Sequence, residues 1–133
     1  FVAFSPLASG FLSGKAQPGD KYVGDDVRRV ITRFDPENVS ANQPLVEMLQ
    51  RFAKAKGATP AQVSLAWMLA KWPFVTPIPG ARATERIEEN LSAADVELAP
   101  GELAALEQEL AKIPIHGNRI DEDIMKLREL LQR

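Results

Sequence analysis

Residues 59–91 read TPAQVSLAWMLAKWPFVTPIPGARATERIEENL, and this stretch decides the fold class. Thr59, with Pro60 after it and Gln62 three positions on, is a helix start. The hydroxyl can accept from the Gln62 amide, the glutamine can reach back, and proline's missing N–H costs nothing at the first helical position. The pattern predicts a helix over Pro60 to Lys71, stopped before Pro73. Val63, Leu65, Ala66, Trp67, Leu69 and Ala70 make it apolar around much of its circumference, as a core helix is. Phe74 to Ile78 reads as a short strand, Pro79-Gly80-Ala81-Arg82 as a loop, and Thr84 to Leu91 as another helix. Helix, strand, loop and helix in that order mark an α/β chain with parallel strands.

Upstream, Phe1-Val2-Ala3-Phe4 has the composition of a buried strand, and it runs directly into Ser5-Pro6-Leu7-Ala8-Ser9-Gly10-Phe11-Leu12-Ser13-Gly14-Lys15, a loop by its proline and small residues. Ala16 to Asn42 shows no sustained period and reads as one long excursion of the kind that serves as a lid or cover. Leu45, Leu49, Phe52 and Ala53 share one face of a helix expected from Gln43 to Lys56, with Gly57 as its stop. Leu103, Leu106, Leu110 and Ile113 repeat at helical spacing, as do Ile124, Leu127 and Leu131 beyond the Gly117-Asn118 turn. Two strands do not make a complete parallel sheet. The expected architecture is the carboxy-terminal part of an eight-stranded (β/α)8 barrel, whose whole needs ~250 residues. The absence of a turn before the first strand reads as a start inside an element, expected of a processed or truncated product or of part of a longer reading frame.

The 133 residues carry 16 basic against 18 acidic side chains, a formal charge of -2, with 45% hydrophobic residues. Such a balance supplies no basic field for nucleic acid or anionic lipid, so neither is an expected partner. There is no cysteine, which removes disulfides and thiolate chemistry and agrees with a reducing, cytoplasmic setting. No apolar run has the length of a membrane span, and no metal site is expected.

Both loops that follow a strand lie where α/β proteins bind ligands. In the first, Ser5 and Ser9 offer hydroxyls, while Gly10 and Gly14 let backbone amides approach an anion. The alternative is that Ser-Pro-Leu merely turns the chain. In the second, Gly80 precedes a helix whose amino end carries Arg82 and Arg86, although a helix dipole favours acidic residues there. Either an anion compensates the two guanidiniums, or Glu85, Glu88 or Glu89 pairs with them on a solvated face.

The segments FSPLASGFLSGK, TPAQVSLAWMLA and TPIPGARATERIEENLSAADVEL together resemble the final part of aldo-keto reductases, in the family's order and spacing. The resemblance covers nearly the whole chain. It implies that residues 1–15 hold strand seven and a cofactor loop, residues 74–91 strand eight with a phosphate loop and helix, and residues 100–133 the carboxy-terminal helices. Ser5, Pro6, Leu7 and Gly10 match pyrophosphate contacts, and Leu12 and Ser13 the segment that folds over the cofactor. Gly80, Arg82 and Arg86 match positions around the adenosine 2′-phosphate, and Glu89 and Asn90 the pair that reads the adenine. The cofactor so implied is NADP(H), because two arginines suit a 2′-phosphate.

The resemblance also implies hydride transfer to an aldehyde or ketone, a small-molecule carbonyl substrate, by an Asp, Tyr, Lys and His set from the first half of the barrel. None of those motifs occurs here, so no catalytic residue is assigned and the chain alone is expected to be inactive. Tyr22 reads as a packing or cover residue, His116 as a surface residue, and Trp67 and Trp72 as core packing. Where the family often has Gly-x-Arg-Tyr, this tail reads Gly117-Asn118-Arg119-Ile120. Two other functions stand beside the reductase: a cofactor-sensing regulatory subunit like those of potassium channels, or a truncated product that self-associates to cover its strand edges.

Overall fold

The structure, a computed structural model, describes residues 1–120. The chain divides into two compact units, one of Phe1–Lys15 with Pro44–Ile113, the other of Ala16–Gln43 with the segment that begins at Pro114. The helices expected over residues 124–131 lie outside the described residues.

In the first unit, strand β1 (Val2–Phe4) pairs in parallel with β2 (Thr76–Ile78), with Val2 opposite Thr76 and Phe4 opposite Ile78. The sheet order is strand, helical crossover, strand, and the architecture is that of a partial α/β barrel. The strands are shorter than the residues suggested, and β1 is not buried. Phe1, Val2 and Phe4 are 79%, 61% and 59% exposed, and Phe74 and Ile78 are exposed as well. A two-stranded sheet has no further strand at either edge to shield its side chains, whatever their composition.

Between the strands run two helices that do have a core. Helix α3 (Pro60–Lys71) starts as its residues dictate: Thr59 is extended, its Oγ1 accepts from the Gln62 amide at 3.2 Å, and Gln62 Oε1 accepts from the Thr59 amide at 2.9 Å. Ser64, a buried polar residue, donates to the Pro60 carbonyl one turn back, which satisfies its hydroxyl. Helix α2 (Gln43–Lys56) supplies Leu45, Met48, Leu49 and Ala53 to a cluster with Val63 of α3 and Leu106 of α5 (Pro100–Leu110). Leu106 is 1% exposed, and withdrawing such a side chain from water is worth about 1.5–3 kcal/mol. Trp67 packs against this cluster, meets Trp72 edge to face at 5.0 Å between ring centroids, and donates its indole N–H to Glu107.

The second unit is more structured than its composition implied. Short 3₁₀ turns at Val27–Arg29 and Thr32–Phe34 precede helix α1 (Pro36–Ala41), where a featureless excursion was expected. Six residues are too few to show a period, and Val39 alone of them is buried. Tyr22 packs edge to face on Phe34 with the Arg28 guanidinium 4.2 Å from its ring centre, the packing role expected of it. The segment 116–118 is fixed within this unit. Asn42 donates to the His116 carbonyl and accepts from the His116 amide, each at 2.9 Å, and the Asn118 amide donates to Thr32 Oγ1 at 2.7 Å. The His116 side chain is at the surface, as expected.

Candidate functional site

Because the strands are parallel and in register at Phe4 and Ile78, the loops that follow them leave the same end of the sheet. Adjacent strands lie ~4.8 Å apart. Two segments some seventy residues apart in the chain are thus brought side by side, and each carries residues singled out from the sequence.

The first loop departs from the strand at Ser5, whose φ of 46° is left-handed. Ala8 and Ser9 follow at 52° and 55°, and Gly10 at 90°. Left-handed backbone costs a residue with a Cβ roughly 1–2 kcal/mol, and such residues gather at ligand sites when the surroundings hold them. The hold is visible. Pro6 is buried, the Ala8 amide donates to Ser5, the Gly10 and Leu12 amides donate to Leu7, and Phe11 is 1% exposed beneath a 3₁₀ turn over Ala8–Ser13. Leu12 packs against the core cluster, and the Ser13 hydroxyl donates to the Gly10 carbonyl at 2.7 Å. Both therefore brace the turn. Ser5 and Gly10 stay exposed, and nothing lies within 4 Å of where a Gly10 Cβ would stand.

The second loop runs from Pro79 to Ala83 and enters helix α4 (Thr84–Leu91). Gly80 has open space where a Cβ would stand and no left-handed φ, so neither its backbone nor a described neighbour requires glycine. Ala83 is the N-cap and has no side-chain acceptor, leaving the first turn of α4 without a side-chain cap. The question over the two arginines has a divided answer. Arg86 pairs with Glu89 at 2.9 Å on the same helix, whereas Arg82 is exposed and makes no hydrogen bond or ion pair among the described residues. Asn90 is half-buried and faces an apolar cavity of about 470 Å³ walled by Leu65, Ile78, Pro79, Ala81 and Leu91.

Gln62, the capping-box glutamine of α3, also joins this helix to the core. Gln62 uses its free amide nitrogen to donate to the Glu89 carbonyl at 3.1 Å and to Ser92 Oγ at 3.0 Å. A long-range contact of this kind leaves no local signal beyond the capping box itself. Among the described residues no group of three or more acidic or histidine side chains is placed to hold a metal, and no helix is long and apolar enough to cross a membrane.

The family model described as Aldo/keto reductase family matches residues 1–111. The chain belongs to this family. It is similar to aldo-keto reductase str7 of Strobilurus tenacellus, with 36% identity over 89% of this chain and 35% of that protein. It is likewise similar to the Schizosaccharomyces pombe aldo-keto reductase yakc [NADP(+)], at 34% over 89% of this chain and 35% of that protein. An uncharacterized oxidoreductase of Mycobacterium bovis is 42% identical over 74% of this chain and 29% of its own length. The chain thus spans about a third of the length of the curated relatives it matches. Within the aldo/keto reductase match lie both loops, α2, α3, α4 and α5.

Proposed function

We propose that this chain is the carboxy-terminal portion of a single reductase barrel and provides its NADP(H) phosphate and adenine site, in an enzyme that reduces aldehydes or ketones. The observation that carries the reading is Arg82: an exposed guanidinium with no partner among the described residues, beside an open Gly80 and an uncapped helix start. An anion answers all three at once, since guanidinium forks suit phosphate oxygens and helix amides with their dipole favour negative charge. The name of the fission-yeast relative, which includes NADP(+), agrees with this choice.

The residues divide by what they touch. Ser5, Pro6, Leu7 and Gly10 would line the pyrophosphate, with Leu12 and Ser13 bracing the turn that covers it. Gly80, Arg82 and Arg86 would hold the 2′-phosphate. Glu89 and Asn90, one turn further along α4, would meet the adenine edge with an acceptor and an amide. The bound dinucleotide supplies the hydride, and the Asp, Tyr, Lys and His that the family uses for proton transfer are not among these motifs, so the proposal assigns no catalytic residue here.

The test uses the full-length protein and NADPH fluorescence on binding. Arg82→Ala is expected to weaken NADPH at least tenfold while leaving NADH within about threefold, as loss of one charged phosphate contact costs ~1.5–3 kcal/mol. Equal losses for both cofactors would remove the 2′-phosphate assignment.

A further inference from the structure

Two side chains that the proposed dinucleotide site uses for different purposes are tied to each other. Arg86, in the first turn of α4, donates to the Glu89 carboxylate at 2.9 Å, although the first is proposed for the 2′-phosphate and the second for the adenine. Arg82, the other proposed phosphate contact, is exposed and carries no such tie among the described residues. The two arginines therefore start from unequal positions.

The pair has a physical reason to form. The amino end of a helix is its positive pole, so a cation at Arg86 is unfavourable there until a negative charge compensates it. Glu85 and Glu88 are close in sequence and exposed, yet the partner is Glu89. The Glu89 side chain is 21% exposed against 39% for Arg86, and its backbone carbonyl accepts from Gln62 Nε2 at 3.1 Å, which fixes it to α3. Glu89 is thus the fixed half of the pair, and the longer arginine, with its many rotamers, the half that can turn away.

We infer that Glu89 is a specificity-determining residue that competes with a 2′-phosphate for Arg86, an inference that rests on the dinucleotide reading proposed above. A phosphate group can offer the Arg86 guanidinium two acceptor oxygens in place of its single contact with Glu89. A ribose without that phosphate offers Arg86 no anion, and the pair with Glu89 stays closed. Glu89 therefore lowers the affinity for the phosphorylated dinucleotide and spares the unphosphorylated one, so the preference between them is smaller than Arg82 and Arg86 alone would give. Its contact with the adenine is common to both dinucleotides and cancels in their ratio.

Full-length protein is titrated with NADPH and with NADH, read by nicotinamide fluorescence, in the parent and in Glu89→Gln, which keeps an acceptor for the adenine amino group and removes the charge. The ratio of the NADH to the NADPH dissociation constant should rise about two- to fivefold, the span that a partly exposed ion pair supports. In Arg86→Ala protein the same substitution should leave the ratio where it stands, because no guanidinium is left to compete for. An unchanged or lowered ratio in the first comparison, or an equal rise in the second, would overturn the competition. Arg82→Ala keeps the two proposals apart. Equal losses for both dinucleotides remove the phosphate site and this inference with it, whereas a selective loss of NADPH beside an unchanged Glu89→Gln ratio removes the competition alone.

Discussion

Gln62 holds the backbone of Glu89: its side-chain amide closes the cap of α3 at Thr59 and donates to the Glu89 carbonyl 3.1 Å away. The amino end of the core helix is thereby tied to the carboxyl end of α4, which carries the proposed phosphate and adenine contacts. Gln62→Ala leaves Thr59 Oγ1 its backbone donor but removes the side-chain half of the capping box, a hydrogen bond worth ~0.5–1.5 kcal/mol, and frees α4. Denaturant unfolding should show a loss of that size, and NADPH affinity should fall although Gln62 is not among the proposed ligands. Gln62→Glu is more selective, because a carboxylate still accepts from Thr59 but cannot donate to Glu89. It should retain most of the stability and lose affinity to the same extent as alanine. Unchanged affinity in both variants would separate α4 position from binding.

The capping box also explains how far the sequence could be read. Helices at Gln43–Lys56, Pro60–Lys71 and Thr84–Leu91 have the residue bounds expected, since Thr59-Pro60, Gly57 and Pro73 are local stops and starts that tertiary packing does not override. What lacked a local signal was not legible. Ser5, Ala8 and Ser9 adopt left-handed backbone without being glycine, because the buried Pro6 and Phe11 fix the turn around them. Helix α1 was missed for the same physical reason, its single buried residue being too little for a period. At the proposed site, residue types pointed to the two loops, but only the register of β1 on β2 places the loops side by side. Which arginine pairs with Glu89 was likewise open until the geometry chose Arg86.

Leu106 is the fully buried residue that α5 contributes to the core it shares with α2 and α3. Leu106→Ala leaves a cavity among residues that belong to three different helices and relax poorly, so a loss of about 2–5 kcal/mol is expected. Urea titration of the full-length protein reads it as a lower midpoint. A loss under 1 kcal/mol would mean that α5 is dispensable to this core.

Glu107 lies on the same helix and accepts from Lys71 at 2.5 Å and from the Trp67 indole at 3.1 Å. The Lys71 hydrogen bond, and secondarily that of Trp67, hold its carboxyl below the ordinary value of 4.5. A carboxyl more acidic in the folded than in the unfolded state stabilises the fold fully above the ordinary value, and its contribution disappears as pH falls through the folded one. Melting temperature should therefore drop below pH 4.5 more steeply in the parent than in Glu107→Gln, with the two curves parallel near neutrality. Identical acid limbs would show that the pair contributes nothing.

Gly117 and Gly80 form an opposed pair of tests. At Gly117 both the φ of 78° and the 2.6 Å approach to Arg33 exclude a side chain, so Gly117→Ala must shift the 116–119 segment as well as bear a left-handed cost of ~1–2 kcal/mol. Hydrogen exchange at the His116 amide, donated to Asn42, should accelerate at least tenfold. At Gly80 neither obstacle exists, since a Cβ meets nothing within 4 Å and the φ is ordinary. Gly80→Ala should therefore change stability by less than about 0.5 kcal/mol, as surface substitutions do, or raise it slightly through the less flexible unfolded chain. If the space beside Arg82 admits a phosphate, the added methyl group takes part of it, and NADPH affinity should fall several-fold with stability intact. Gly10→Ala does not discriminate as well, because its φ of 90° adds backbone strain to any loss of binding. A Gly80→Ala protein that binds NADPH as the parent does would leave glycine at this position without a ligand to explain it.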